Sequence, residues 1–140
     1  MDDLFDLADW FEDVAKEVKK EIECEVEKGA LRIVANAKMR CPVDTGYLRN
    51  SIHSDVEWEG NVCVGTVGTN VPYAKYLEFG TGIYAVDGNG RKTPWVYKDA
   101  KGFHYTHGMM SQPFMYPAFY AEKDVVFRQI TEAIEKLFKM

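Results

Sequence analysis

The stretch Leu4–Met39, LFDLADWFEDVAKEVKKEIECEVEKGALRIVANAKM, decides the fold. Its apolar residues Leu4, Leu7, Phe11, Val14, Val18, Ile22, Val26, Ile33 and Ala37 recur mostly every third or fourth position. That is the period at which side chains line one face of an α-helix. Asp2 or Asp3 can cap its start. Pro42 pushes Cys41 out of helical geometry, so the helix is expected to end near Met39 or Arg40. Gly29 is its weak point, costing about 1 kcal/mol relative to Ala in a helix interior, and predicts a bend or a close backbone approach.

Beyond the helix, Cys41 to Asn50 is punctuated by Pro42 and Gly46 and reads as a turn, with Asp44 placed to bond the amides ahead of it. Two strands are expected next, Ser51 to Trp58 carrying Ile52, Val56 and Trp58, and Val62 to Val67 carrying Val62, Val64 and Thr66, joined at Glu59-Gly60-Asn61. Pro72 suits the first turn of a short helix through Tyr73, Tyr76 and Leu77, and Gly80 its left-handed stop. Two further hairpin signals follow, Asp87-Gly88-Asn89-Gly90 and Asp99-Ala100-Lys101-Gly102. Phe119, Val126, Ile130, Ala133, Ile134 and Leu137 then define an amphipathic helix beginning after Pro117. No repeat or linker divides the chain. The expectation is a single α+β domain over 1–140: an antiparallel β-sheet, the long N-terminal helix and the C-terminal helix packed on one face, and a projecting hairpin arm between Gly80 and Gln112.

Composition excludes several function classes. With 140 residues, 46% apolar and 28% charged, the chain has ordinary globular make-up. Its apolar runs are far short of the ~20 residues that span a bilayer, and the acidic Met1-Asp2-Asp3 is unlike a signal peptide, so it is expected to stay in the cytosol where it is made. Cys24, Cys41 and Cys63 are odd in number and far apart, which favours reduced thiols. A net charge of -5 argues against a protein that grips nucleic-acid phosphates.

Chemical constellations are weak. His104, His107 and His53 with the cysteines invite a zinc site, but residues three apart in a strand face opposite ways and no close Cys pair exists. The glycine clusters at Gly65–Thr69, Gly80-Thr81-Gly82 and Gly88-Asn89-Gly90 lack the Lys and the strand-to-helix context of a phosphate loop, so turn chemistry explains them better. Pairs such as Glu12 and Lys16 are solvated i,i+4 partners. No catalytic residue, metal or cofactor is therefore expected. Aromatics, 14% of the chain, concentrate between Trp95 and Tyr120. Trp95, Tyr97, Phe103, Tyr105, Phe114 and Tyr116 are the candidates for a protein interface, since an arm of this size has little interior to hide them.

Three stretches are specific in combination. They are Cys41-Pro42-Val43-Asp44-Thr45-Gly46-Tyr47-Leu48-Arg49-Asn50-Ser51-Ile52, then Val67 to Gly82 with Tyr73-Ala74 and Glu78-Phe79-Gly80-Thr81, then Gln112-Pro113-Phe114-Met115-Tyr116-Pro117-Ala118-Phe119. In this order between two helices they resemble the tail-component family of tailed bacteriophages and prophages, the tail-completion or head–tail joining proteins. The resemblance marks Pro42, Asp44, Thr45, Gly46, Glu78, Phe79 and Gly80 as motif residues. It implies a non-enzymatic virion protein without cofactor, made in the bacterial cytoplasm. Such a subunit assembles as a ring, commonly of six, in the neck between the head connector and the tail tube, with DNA passing nearby unbound and no membrane involved. The loop Asp87–Lys92 departs from the pattern. Two other readings stand beside this one: a small metal-dependent phage-maturation enzyme using His104, His107 and an acidic residue, and a host-directed binding module using the exposed aromatics.

Overall fold

The computed structural model describes residues 3–43 and 46–139, with side chains from Asp6 onward except that of Asp99. Asp2, Asp44 and Thr45, and with them the expected cap at Asp2 and the expected turn bonds of Asp44, lie outside the described residues. The periodic stretch forms one helix, α1 (Asp3–Arg40), without interruption at Gly29. A Cβ there would stand 2.4 Å from Cγ1 of Val126. Glycine is thus present because another helix comes close.

That helix is α4 (Met115–Phe138), which runs antiparallel to α1: Val126 meets Gly29, and Glu122 meets Arg32 and Asn36. A polar clamp closes the contact. Arg32 Nε and Asn36 Nδ2 (3.0 Å) both donate to the Glu122 carboxylate, and Arg40 Nε donates to Asn36 Oδ1 at 2.6 Å. Arg32 foremost, then Asn36, holds the Glu122 carboxyl below the ordinary glutamate range.

Between the helices lie α2 (Tyr47–Ser51), β1 (His53–Glu59), β2 (Val62–Gly68), α3 (Ala74–Phe79), a single 3-10 turn at Gly82–Tyr84, β3 (Trp95–Asp99) and β4 (Gly102–Thr106). The α+β class follows directly. The strands form two separate antiparallel pairs, β1–β2 and β3–β4. Register in the first pairs Val56 with Gly65, Trp58 with Cys63 and Ser54 with Val67, so Cys63, Gly65 and Val67, rather than Val62, Val64 and Thr66, share the inward face. This face lies on α1, where a Cβ at Gly65 would meet Val26 Cγ1 at 2.8 Å and Trp58 Nε1 donates to Glu23 Oε1 at 2.6 Å. α4 packs chiefly on α1.

Three local expectations are corrected. Tyr47–Ser51, read as turn and strand, is a short helix that buries Leu48, with Gly46 before it in left-handed geometry (φ 84). The Asp87–Gly90 signal makes no hairpin: Asp87 Oδ1 accepts the Asn89 N–H at 2.8 Å, a turn closed by its own side chain, and one 3-10 turn precedes it instead of a strand. The last helix begins two residues before Pro117, because a distant carboxylate supplies its cap, as described below.

The core is small and lies at one end. Ile33, Val34, Ala37 and Cys41 of the α1 end meet Leu48, Ile52, Val71, Ala74, Phe114 and Ala118. Among the described residues, none from the first turns of α1 belongs to it. Among the described residues no helix is long and apolar enough to cross a membrane.

Candidate functional site

Glu78 organises the region where the arm leaves and returns. In α3, Ala74, Leu77 and Glu78 stand at i, i+3 and i+4, which turns the carboxylate toward the core. Its Oε1 accepts the N–H groups of Phe114 (3.1 Å) and Met115 (2.8 Å), and its Oε2 that of Tyr116 (3.2 Å). A helix start leaves such donors without intrahelical partners, and an anion there is favoured by the helix dipole. Pro117 needs no partner in that turn. The motif residue Glu78 is therefore an N-cap supplied from 36 residues upstream, which positions Phe114 at 1% exposure in the core. Phe114 accordingly leaves the interface set.

The arm's base is clamped backbone to backbone. Thr81 N–H donates to the Met109 carbonyl (2.9 Å), Ile83 N–H to that of His107 (3.2 Å) and Gln112 N–H to that of Leu77 (2.6 Å). Gly82 (φ 60) and Gly108 (φ 128) lie in this clamp, and a Cβ on either would stand 2.0–2.1 Å from a carbonyl oxygen of the facing segment, that of His107 or Thr81. These glycines are close-contact points, where a side chain would have no room.

β3–β4 beyond that base packs mainly on itself, and its register divides the aromatics between two faces. Trp95, Tyr97, His104 and Thr106 share one face; Val96, Lys98, Phe103 and Tyr105 share the other. The first face borders a cavity of about 1050 Å³ that continues past Tyr47, Tyr73, Tyr76 and the motif residues Pro42, Gly46 and Gly80. The Arg91 guanidinium lies 5.6 Å from the Trp95 ring at this wall, and the Lys75 ammonium 5.2 Å from the Tyr76 ring. The second face is open: Phe103 is 75% and Tyr105 67% exposed. Tyr116 is exposed near Phe79, rings 5.8 Å apart.

The histidines do not gather. His104 stacks on Tyr97 at 5.1 Å, His107 meets the edge of Tyr105 at 5.5 Å, and His53 is on β1. Among the described residues no three His, Cys, Asp or Glu could hold one metal ion. Cys24, Cys41 and Cys63 are free, and burial pushes the thiols of Cys41 and Cys63 up, away from reactive thiolate. The cavity, the Glu78 cap and the Glu122 clamp were not foreseen. Only the cap left a sequence signal, a carboxylate on the apolar side of a short helix.

Residues 5–80 match the HK97-gp10-like family model, described as "Bacteriophage HK97-gp10, putative tail-component". No curated protein and no solved structure matches the chain. The matched span takes in α1, α2, β1–β2 and α3. The arm and α4 follow it, and Glu78, inside the span, holds the first turn of α4 outside it.

Proposed function

We propose that this chain, which belongs to the HK97-gp10-like family of bacteriophage tail components, is the subunit that joins the head connector to the tail tube, assembled as a ring of about six copies in the virion neck, the number the family resemblance implies. The observation that carries the reading is surface. The free chain exposes 10183 Å², whereas a compact monomer of 16.0 kDa exposes about 7400 Å² by the usual mass scaling. The surplus of roughly 2800 Å² is on the scale that obligate assemblies bury.

Several features support a structural part rather than a catalyst. The open face of Phe103 and Tyr105 offers aromatic contact area at low rotamer cost. Tyr116, Trp95 and Tyr97 add to it on other sides. An acidic subunit suits a channel through which DNA slides, since it attracts phosphates weakly. Head connector and tail tube are the partners of the two ring faces, and no step of chemistry is required.

The test is removal of the gene from a producing phage or prophage, followed by electron microscopy of lysates. Filled heads and separate tails, restored to joined particles by the chain supplied in trans, are the expected outcome. Joined, infectious particles without the chain would overturn the reading.

A further inference from the structure

The apolar stripe of α1 outruns its cover. From Val126, opposite Gly29, α4 continues twelve residues to Phe138, about 18 Å at helical rise, so it ends level with roughly Glu17 of α1. Val14 and Val18 are half-buried near that end, but Leu7, Trp10 and Phe11 on the same stripe are 50%, 57% and 58% exposed. Trp10 and Phe11 pack edge to face, ring centroids 5.0 Å apart. Asp6, Asp13 and Glu17 flank the stripe along one side, making the tip an acidic amphipathic helix.

At the other end of α1 is the aromatic cavity bounded by Tyr47, Tyr73, Tyr76, Trp95 and Tyr97, with Arg91 in its wall and Lys75 over Tyr76. Asp87, a carboxylate of that wall, turns Oδ1 to the Asn89 N–H. The cavity is concave and largely apolar, and around it the cations Arg91, in the wall, and Lys75, beside Tyr76, outnumber the wall carboxylate Asp87, features that suit an acidic amphipathic helix held through i, i+3, i+4 anchors. Phe11 lies 29 residues from Arg40, about 44 Å along a straight helix, so a chain cannot fill its own cavity with its own tip.

We infer that the α1 tip of one subunit, through Leu7, Trp10 and Phe11, docks in the aromatic cavity of the next copy of this chain. The two surfaces differ and lie at opposite ends, so the contact is head-to-tail, the kind that closes into a ring when its rotation permits. Burial of the tip and of the cavity wall removes part of the surplus surface from both ends of each subunit. The inference rests on the ring reading above and names the contact that would build it.

The test uses full-length chains carrying Cys24→Ser and Cys63→Ser, one with Asp6→Cys beside the tip and one with Asn89→Cys on the cavity wall, mixed with a short flexible bis-maleimide. Cross-linked heterodimer should form about tenfold or more faster than with Glu57→Cys on the outer face of β1, because docking raises the effective concentration. Trp10→Ala on the first chain, or Tyr76→Ala on the second, should abolish that advantage while each variant keeps a native circular-dichroism spectrum. In virions, a chain bearing both cysteines should yield a ladder of covalent oligomers. Equal rates for the wall and β1 cysteines, or joined particles containing the double-cysteine chain without a ladder, overturn this contact and leave the neck assignment standing. Joined particles made without the chain remove the neck assignment itself.

Discussion

β1–β2 and β3–β4 are both antiparallel pairs closed by two-residue turns, at Gly60-Asn61 and Ala100-Lys101. The first lays its inner face on α1, with Gly65 against Val26 and Trp58 bonded to Glu23. The second projects from a clamped base and leaves Phe103 and Tyr105 in the open. An isolated two-stranded hairpin is marginal in water. One hairpin is therefore held by packing along its length, the other by bonds at its foot, and only the second keeps an aromatic face available to a partner.

The largest effect is expected where the arm's foot meets the core. Phe114→Ala removes the most deeply buried large side chain among the described residues and should cost about 3–5 kcal/mol, read as a shift of the urea midpoint. A loss near zero would place the foot of the arm outside the cooperative core. Gly65→Val addresses the other hairpin. Its Cβ would press on Val26 at 2.8 Å, and overpacking of this kind costs about 1–3 kcal/mol, against which the higher strand propensity of valine is smaller. If the variant is as stable as the native chain, β1–β2 does not depend on its close seat on α1.

A smaller effect belongs to the clamp between α1 and α4. Arg32 and Asn36 lower the Glu122 carboxyl in the folded chain, so the unfolded chain takes up the proton first as pH falls. The stabilisation is complete above the ordinary glutamate range and is lost as pH drops through that range toward the lowered folded value. Because Arg32 is half in solvent, the contribution is about 1 kcal/mol or less. Glu122→Gln should destabilise the chain at neutral pH, and the gap should close in acid. A gap that persists unchanged at low pH would mean that packing, not charge, joins the helices there.

Sequence made the local elements legible where one chemical rule acts alone. The spacing from Leu7 to Ala37 specified α1, Gly60-Asn61 and Ala100-Lys101 specified the hairpin turns, and Pro72 with Gly80 bracketed α3. It did not specify what those elements touch. Gly29 was visible as an anomaly, but its reason, Val126, is 97 residues away along the chain. The start of α4 moved ahead of Pro117 because Glu78 supplies acceptors that no local pattern contains. The aromatics between Trp95 and Tyr120 looked alike in sequence, yet strand register sends Trp95 and Tyr97 to the cavity, Phe103 and Tyr105 to solvent, and the Glu78 cap draws Phe114 into the core. Alternation predicts that a strand has two faces; only the rest of the molecule decides which one is covered.

The smallest expected change in stability is also the sharpest test of what the open hairpin is for. Replacing Phe103 and Tyr105 together by Ser removes two large side chains from the uncovered face of β4, where Lys98 lies 5.4 Å over the Phe103 ring and His107 meets the edge of Tyr105. Those contacts are exposed, and surface substitutions of this kind usually stay within about 0.5 kcal/mol. The weaker cross-strand pairing adds a few tenths more. The melt should therefore barely move, and solubility should rise as the aromatic patch disappears. If the face has no partner, particles built with this variant should join and infect like those with the native chain. If it meets the connector or the tube, anchors of this size should cost more than about 1 kcal/mol each at the interface, repeated around every copy in the ring, and joined particles should fall sharply while the purified protein stays folded. An unchanged melt with unchanged joining assigns the face to solvent, and a collapsed melt would mean that the arm packs on more of the molecule than its foot.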